Sequence, residues 1–308
     1  MNIFDAHCDV LWQMWRQKQQ ISFADDSNLH ITLQGLKQGK GKIQCFAIYV
    51  PEEVPHEARF DTALQMIHIF YDEIIAKYPE MKLILTKDDV NQLQDHEIGA
   101  ILTLEGCEAI GHSLTRLTAL YRLGVRSVGL TWNFSNAVAD GALETRGAGL
   151  SLFGKDVVEE LNKHRMWTDV SHLSERGFWD VMEQAHYPIA SHSNVFALRP
   201  HPRNLKNEQI QALIQKDGMI GITFVTSFLK EEKPVYIDDV IRHLDYVCSL
   251  GGDKHVGFGS DFDGIVQTVV GLGRFEQYEN LVNELLKRYK EEQVMDFLYR
   301  NFVNHIPF

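Results

Sequence analysis

Six side chains that can bind a metal ion stand at the ends of apolar, strand-like segments. They are His7, Asp9, Glu105, His172, His192 and Asp261. The interior of a parallel β-barrel is normally filled by Val, Ile and Leu, so polar side chains at successive strand ends favour a chemical role. A lone histidine at such a position is more often a hydrogen-bonded core residue, but the recurrence at several strand ends favours one shared site.

The residue types favour zinc or a similar divalent ion. The first five of these side chains offer nitrogen and oxygen ligands and no thiolate, which suits such an ion. Five ligands exceed the four that one tetrahedral zinc ion uses, so two metal ions are predicted. Two-metal sites hold their ions about 3.5–4 Å apart. Glu105, between the His7 side and the His172 side, is the candidate bridge.

The elements that must position these residues are predicted to be βα units. Eight β-type segments alternate with stretches long enough for helices, as around a parallel sheet. The segments are Ile3–Val10, Ile43–Val50, Ile98–Glu105, Val125–Trp132, Met166–His172, Pro188–His192, Met219–Val225 and Val256–Asp261. The clearest helix candidates are Glu57–Tyr78, Leu114–Leu123, Ser174–Ala185 and Ile237–Leu250. We predict an α/β fold, a (β/α)8 TIM barrel, while an open doubly wound sheet has the same local pattern.

Length and composition are those of an ordinary globular protein. The chain has 308 residues, 44% of them hydrophobic and 23% charged. An α/β barrel routinely runs to about 250 residues or more as one domain, and no Pro/Gly/Ser-rich linker divides the sequence, so a single domain over 1–308 is predicted. The formal net charge of −12 argues against a nucleic-acid partner.

The cysteines and the apolar runs predict a cytoplasmic protein with no membrane partner. The four cysteines contain no C-x-x-C pair, which fits a reducing compartment better than a disulfide framework. No signal-peptide pattern follows Met1, and the apolar runs are shorter than the ~18 residues that a membrane span needs.

Seven motifs occur in the order found in the membrane (renal) dipeptidase family, which the sequence resembles over nearly its whole length. The motifs are Asp5-Ala6-His7-Cys8-Asp9, Leu104-Glu105-Gly106, Leu120-Tyr121-Arg122-Leu123-Gly124-Val125-Arg126, Leu130-Thr131-Trp132-Asn133, Asp169-Val170-Ser171-His172, Ser191-His192-Ser193 and Gly257-Phe258-Gly259-Ser260-Asp261-Phe262-Asp263-Gly264. Each motif is weak alone, and seven in order are specific.

The resemblance implies a binuclear zinc hydrolase with an amidohydrolase-like barrel. Such enzymes cleave dipeptides and often accept a D-residue at the C-terminal position. Carried over by position, His7 and Asp9 match the ligands of one zinc ion, His172 and His192 those of the other, and Glu105 the bridging carboxylate.

The same resemblance implies roles for further residues. Asp261 matches the acid beside a metal-bridging hydroxide, which would attack the peptide carbonyl. Arg203 looks like the arginine that binds the free C-terminal carboxylate of the dipeptide, with Arg199 a weaker candidate. A homodimer is also implied.

The sequence departs from the family's pattern in two respects. Mammalian members carry a substrate-contacting histidine where this chain has Trp132, which puts substrate choice in question but not metal binding. Mammalian members are also secreted and lipid-anchored, whereas no anchor signal precedes Phe308, so membrane attachment is not expected.

Two alternative functions stay open. The first is another barrel metallohydrolase acting on a lactone, phosphotriester or cyclic amide, and the second is a metal-loaded binding protein without turnover.

Overall fold

Parallel strands make up the centre of the molecule, whose computed structural model describes residues 1–18 and 20–308. The strands in this described part are β1 Ile3–Asp5, β2 Gly41–Tyr49, β3 Met81–Leu83, β4 Ile98–Glu105, β5 Val125–Gly129, β6 Trp167–Asp169, β7 Pro188–Ala190, β8 Met219–Ile222 and β9 Val256–Phe258. All strand pairs in it are parallel.

Eight of these strands close into a ring. β1 pairs with β2 on one side and β9 on the other, β2 also pairs with β4, and β4 to β9 follow in sequence order. The predicted TIM barrel is therefore confirmed, because the two ends of an open sheet would not meet. β3, which the sequence analysis did not predict, lies outside the ring and pairs with the first residues of β4, where Met81 stands opposite Ile98.

Helices connect the strands and cover the outside of the barrel. Those in the described ranges are α1 Val10–Arg16, α2 Leu33–Gln38, α3 Arg59–Ile69, α4 Lys87–Gln92, α5 Leu114–Arg122, α6 Leu152–Lys163, α7 Glu175–Gln184, α8 Asn207–Gln215, α9 Thr226–Leu229, α10 Ile237–Ser249, α11 Tyr278–Leu286, α12 Glu291–Met295 and α13 Asn301–Asn304. π-helical turns at Phe70–Ile75 and Asp296–Arg300 continue α3 and α12. None of the described helices combines the length and apolar character needed to cross a membrane.

Local signals account for the helix ends. The Ser174 hydroxyl accepts a hydrogen bond from the Gly177 backbone at 3.1 Å, which satisfies a free N–H at the start of α7. Gly124 follows α5 with φ +103, a conformation that glycine adopts without strain.

An apolar cluster fills the barrel toward the amino-terminal ends of the strands. It includes Phe4, Ile43, Ile101, Trp167, Ile189, Met219 and Phe302. The Phe4 and Phe302 rings stack with centroids 4.9 Å apart, so the C-terminal helices close this end. The opposite end, where the strands terminate, is left to polar side chains.

Apart from β2 and β4, the strands are shorter than predicted, so every predicted ligand except Glu105 lies just beyond its strand. β1 ends at Asp5, and the chain stays attached to its neighbours because Ala47 N donates to Cys8 O at 3.0 Å and Asp9 N donates to Phe262 O at 2.9 Å. At His7 and Asp9 the backbone is therefore a bridged extension of β1 and not a regular strand, and Asp9 immediately precedes α1.

Candidate active site

Three imidazoles converge on one carboxylate oxygen at the carboxyl end of the barrel. Glu105 Oε1 lies 3.0 Å from His172 Nε2, 3.5 Å from His192 Nε2 and 3.7 Å from His7 Nε2. All four side chains are buried. The chain thus brings together residues from four separate βα units around Glu105.

Two carboxylates complete the cluster on the His7 side. His7 Nε2 lies 3.5 Å from Asp9 Oδ2 and 3.9 Å from Asp261 Oδ1. Potential ligand atoms of His7, Asp9 and Asp261 lie within 4.8 Å of one another, as do those of His7, Glu105 and His192. These overlapping groups share His7, and His172 adjoins the second of them through Glu105.

The tautomers of two imidazoles are set by their neighbours. His172 Nδ1 lies 2.8 Å from Asn133 Oδ1, an acceptor, so Nδ1 donates and Nε2 keeps its lone pair. His192 Nδ1 lies 2.8 Å from the Ser191 hydroxyl, whose own hydrogen is donated to Asp169. Both imidazoles therefore present an unprotonated Nε2 to the centre, as metal-binding histidines do.

This arrangement fits divalent metal ions. The lone pairs of His172 Nε2 and His192 Nε2 face each other at 2.9 Å beside Glu105, which is repulsive unless a cation lies between them. His7 Nε2 and Asp9 Oδ1 are buried with no hydrogen-bond partner among the described residues. Unpartnered buried polar atoms are costly, and nitrogen and oxygen donors of this kind suit zinc or a similar ion.

Burial also shifts the pKa values of the cluster, lowering those of two histidines and raising those of the three acids. A bound cation would reverse the shift of the acids. Burial lowers the pKa values of His172 and His192 well below their usual range, which keeps both imidazoles neutral. It raises the pKa of Glu105 well above its usual value, that of Asp9 to about 7 and that of Asp261 to about 8, with mutual repulsion among the acids contributing. Nearby divalent cations stabilise the ionised carboxylates instead.

The backbone around the cluster adopts uncommon conformations. His172 and Asp261 have φ of +68 and +62, which costs energy for residues other than glycine and concentrates at functional sites. The loop before Asp261 is anchored because the Asp5 carboxylate accepts hydrogen bonds from both the backbone N and the hydroxyl of Ser260, at 2.8 and 2.6 Å.

A cavity of about 600 Å³ opens onto the cluster, and Trp132 forms part of its wall. The Trp132 ring lies 5.2 Å from that of Tyr49 and stacks 6.0 Å from that of His172, measured between centroids. Trp12 packs edge-on against Tyr49 and lines the same cavity. The structure therefore places Trp132 beside the cluster, on an aromatic wall.

Arg203 is a buried cation next to the cluster, where its Nη2 donates to His192 O at 3.4 Å, and it lines a separate, neighbouring cavity. It is 5% exposed, its guanidinium carbon lies 5.4 Å from the ring centroid of Phe228, and its Nε has no hydrogen-bond partner. No carboxylate of the described residues forms an ion pair with it. Burial lowers the pKa of Arg203 to about 10, which leaves it charged at neutral pH. Arg199, the weaker candidate, lies nearer the surface and pairs with Glu231 at 3.3 Å.

Three residues near the site were not singled out from the sequence. Asn133 and Asp169 lie inside quoted motifs, so their positions beside Trp132 and before His172 were available as signals. Lys233 lines the cavity and donates to Thr226 Oγ1 at 2.8 Å. It lies on a loop far from every motif, and no sequence signal points to it.

Comparison with known proteins gives concordant matches. The sequence profile of the membrane dipeptidase family, peptidase family M19, matches residues 1–306. An uncharacterized dipeptidase of Schizosaccharomyces pombe is 29% identical over 310 residues, covering 93% of this chain and 74% of that protein.

Solved structures resemble this chain along nearly its whole length. The crystal structure of a dipeptidase of metallopeptidase family M19 superposes with a TM-score of 0.93 at 30% identity, covering 99% of this chain and 98% of the other. A metallopeptidase from Rhodobacter sphaeroides, liganded with a phosphinate mimic of the dipeptide L-Ala-D-Ala, superposes with a TM-score of 0.91 at 29% identity and the same coverage.

Proposed function

Because this chain belongs to the membrane dipeptidase family and is a metal-dependent dipeptidase, we propose that it uses two zinc ions to cleave dipeptides with a free C-terminal carboxylate. In this proposal His7 and Asp9 hold one ion, His172 and His192 hold the other, and Glu105 bridges them. The convergence of three Nε2 atoms on Glu105 Oε1 supports this assignment. Bound there, such ions supply Lewis acidity and lower the pKa of water toward neutrality.

Asp261 is proposed to carry the proton. Its carboxylate reaches the cavity, is 17% exposed and lies 3.9 Å from His7 Nε2. From this position it can accept the proton of the attacking water and return it to the leaving amine.

Arg203 is proposed to bind the free C-terminal carboxylate of the dipeptide. A buried guanidinium without a carboxylate partner is costly, and a substrate carboxylate would supply the missing partner. Arginine also binds carboxylates through two parallel hydrogen bonds, which orients the ligand. An arginine at this position therefore favours short peptides with a free end.

Trp132 is proposed to contact substrate side chains. Its indole N–H can donate one hydrogen bond and accept none, so it cannot act as a proton carrier. Its flat face would favour apolar substrate side chains over charged ones. The L-Ala-D-Ala mimic bound by the Rhodobacter relative supports testing dipeptides of L-D configuration first.

We also propose that residues 1–308 act as one catalytic domain, in a cytoplasmic homodimer.

A panel of L-L and L-D dipeptides tests the function, assayed after zinc reconstitution with C-terminally amidated versions alongside. We expect hydrolysis of the free dipeptides and a large loss on amidation, with Arg203→Ala raising KM for free dipeptides in parallel. Equal cleavage of free and amidated peptides would show the carboxylate contact to be wrong. Turnover of a lactone or phosphotriester alone would favour the other barrel hydrolases, and metal binding without any turnover would favour a binding protein.

A further inference from the structure

A second group of metal-binding side chains lies at the opposite end of the barrel from the active site. Asp217 follows α8 and precedes β8, His255 immediately precedes β9, and His305 follows α13. Since Asp261 lies beyond the other end of β9, the group is separated from the active site by the length of the barrel. We call Asp217, His255 and His305 the distal triad.

The ligand atoms of the distal triad lie close to the separations that they would have around a bound metal ion. Asp217 Oδ1 lies 3.2 Å from His305 Nε2 and 3.9 Å from His255 Nδ1. Because His255 Nδ1 also lies 3.0 Å from Gly218 O, an acceptor, it donates its hydrogen there, and His255 offers Nε2 as its ligand atom. One ligand atom from each residue lies within 4.8 Å of the other two. Two bonds of about 2.0 Å meeting at a tetrahedral angle place their ligand atoms about 3.3 Å apart, so side-chain rotations alone can close the triad around an ion.

The hydrogen bonds of His305 leave its Nε2 facing the carboxylate of Asp217. Its Nδ1 lies 2.6 Å from Asn301 O, an acceptor, so this nitrogen donates its hydrogen. In the neutral imidazole, Nε2 then has only a lone pair, which faces the carboxylate of Asp217 at 3.2 Å. Two acceptors at that distance repel each other unless a proton or a metal ion lies between them.

The backbone holds the two imidazoles in place. His255 O accepts a hydrogen bond from Ile220 N at 2.8 Å, and the Trp167 indole donates to His305 O at 3.2 Å. The histidine side chains are only 16% and 12% exposed, while that of Asp217 is 85% exposed. Two largely buried imidazoles with an exposed carboxylate on the solvent side leave an ion open to water for its remaining ligands.

From this geometry we propose that the distal triad binds one divalent transition-metal ion, with zinc the first choice. Two imidazoles and one carboxylate suit zinc, nickel or copper and not calcium or magnesium, which prefer oxygen ligands. The ion would join the segments before β8 and β9 to the C-terminal end of the chain. It serves no step of peptide hydrolysis, so the proposal stands apart from the proposed function.

Metal counting on protein without a histidine tag tests the proposal. After equilibrium dialysis against micromolar Zn²⁺, we expect wild type to hold one more ion per chain than either His305→Gln or Asp217→Asn. Dipeptidase activity should be unchanged in both variants. The exposed Asp217 side chain makes Asp217→Asn informative even if His305→Gln folds poorly. Equal zinc content in wild type and Asp217→Asn would overturn the proposal.

A complementary variant keeps the two sites distinguishable. A variant with both His7→Ala and His192→Ala, which removes an imidazole from each active-site position, should lose ions from the active site and retain the distal one, which a further Asp217→Asn change should then remove. Copper(II) added to the His7→Ala/His192→Ala variant should give an electron paramagnetic resonance spectrum with nitrogen hyperfine coupling that disappears when Asp217→Asn is added. Persistence of that spectrum in the variant with all three changes would place the ion elsewhere and refute the distal site.

Discussion

Glu105 is the residue on which both halves of the metal centre depend. A neutral amide is a poor bridge between two cations, so Glu105→Gln should lower the occupancy of both positions together, as measured by elemental analysis. Glu108→Gln is a matched control, because Glu108 is a half-buried glutamate near the site that accepts hydrogen bonds from Trp132 N at 3.2 Å and Asn136 Nδ2 at 3.1 Å and not from the cluster. Loss of one ion with the other retained at full affinity would show that Glu105 is not shared.

Asp261 differs from the ligands in its expected effect. Asp261→Asn should leave metal content nearly intact while lowering kcat by about 10²-fold or more, the usual scale of general acid–base catalysis. The amide keeps the shape of the side chain but cannot accept a proton. Metal analysis alongside steady-state kinetics decides the case, since a variant that loses its ions would make Asp261 mainly a ligand.

Asn133 orients His172, because its Oδ1 accepts a hydrogen bond from His172 Nδ1 at 2.8 Å. Removing the acceptor in Asn133→Ala frees His172 to rotate or to protonate Nε2, and such outer partners of metal ligands typically contribute 10- to 100-fold in metal affinity, an order-of-magnitude expectation of about 30-fold here. Competition with a chromogenic chelator measures the loss. The exposed neighbour Ser135 supplies the control, because Ser135→Ala should leave the affinity unchanged. Equal affinities of all three proteins would contradict a positioning role.

At the scale of elements, α10 ties together the loops that follow β7 and β8. His243 on this helix accepts a hydrogen bond from Val195 N at 3.0 Å through Nδ1, and its Nε2 donates to Leu229 O at 2.9 Å. Burial lowers the pKa of His243, against the smaller opposing effects of Leu229 O and Asp239. Protonation of Nδ1 would break the contact with Val195.

The lowered pKa of His243 predicts a direction for acid destabilisation. Below about pH 6.5, the ordinary pKa of histidine, the unfolded chain takes up a proton at His243 and the folded chain does not. Its contribution to the free energy of unfolding is therefore fully present above that pH and declines as the pH falls toward the folded-state pKa. Urea unfolding of wild type and His243→Gln can be compared from about pH 5 to about pH 8, a range that spans the ordinary pKa of histidine. The free energy of unfolding should fall less steeply toward acid pH in the variant. Parallel curves would remove His243 from the cause.

At the scale of the whole molecule, the proposed ligands come from βα units distributed around the closed ring. Metal ions that bind only the folded chain stabilise it, by about 4 kcal/mol at a free concentration 1,000 times the dissociation constant. Chelation should therefore lower the urea midpoint, and zinc should restore it in a concentration-dependent way. The Asp217→Asn background removes the distal triad from the measurement. A midpoint insensitive to zinc would contradict a metal-linked barrel.

The alternation of apolar segments with helices predicted a parallel βα architecture without knowledge of any contact, and an open sheet shares that pattern. Apolar strands, helix caps such as Ser174 and the glycine after α5 are local signals, because they depend on residues a few positions apart. The same locality explains the failures. β3 is only three residues long, and of these Met81 is buried, Lys82 is exposed and Leu83 is partly buried, so it forms no apolar run. The end of β1 was misjudged because the backbone continues as a bridged extension through His7 and Asp9.

For the site, the sequence by itself determined which residue types stand at the strand ends, and the resemblance suggested their roles. Only the tertiary structure decided that Nε2 of His7 and His172 share one oxygen of Glu105, and that Arg203 is buried without a carboxylate partner. It also decided that His255 and His305 meet Asp217 at the far end of the barrel. These contacts join residues tens to hundreds of positions apart, and they exist because the ring closes between β1 and β9, a condition that no local pattern encodes.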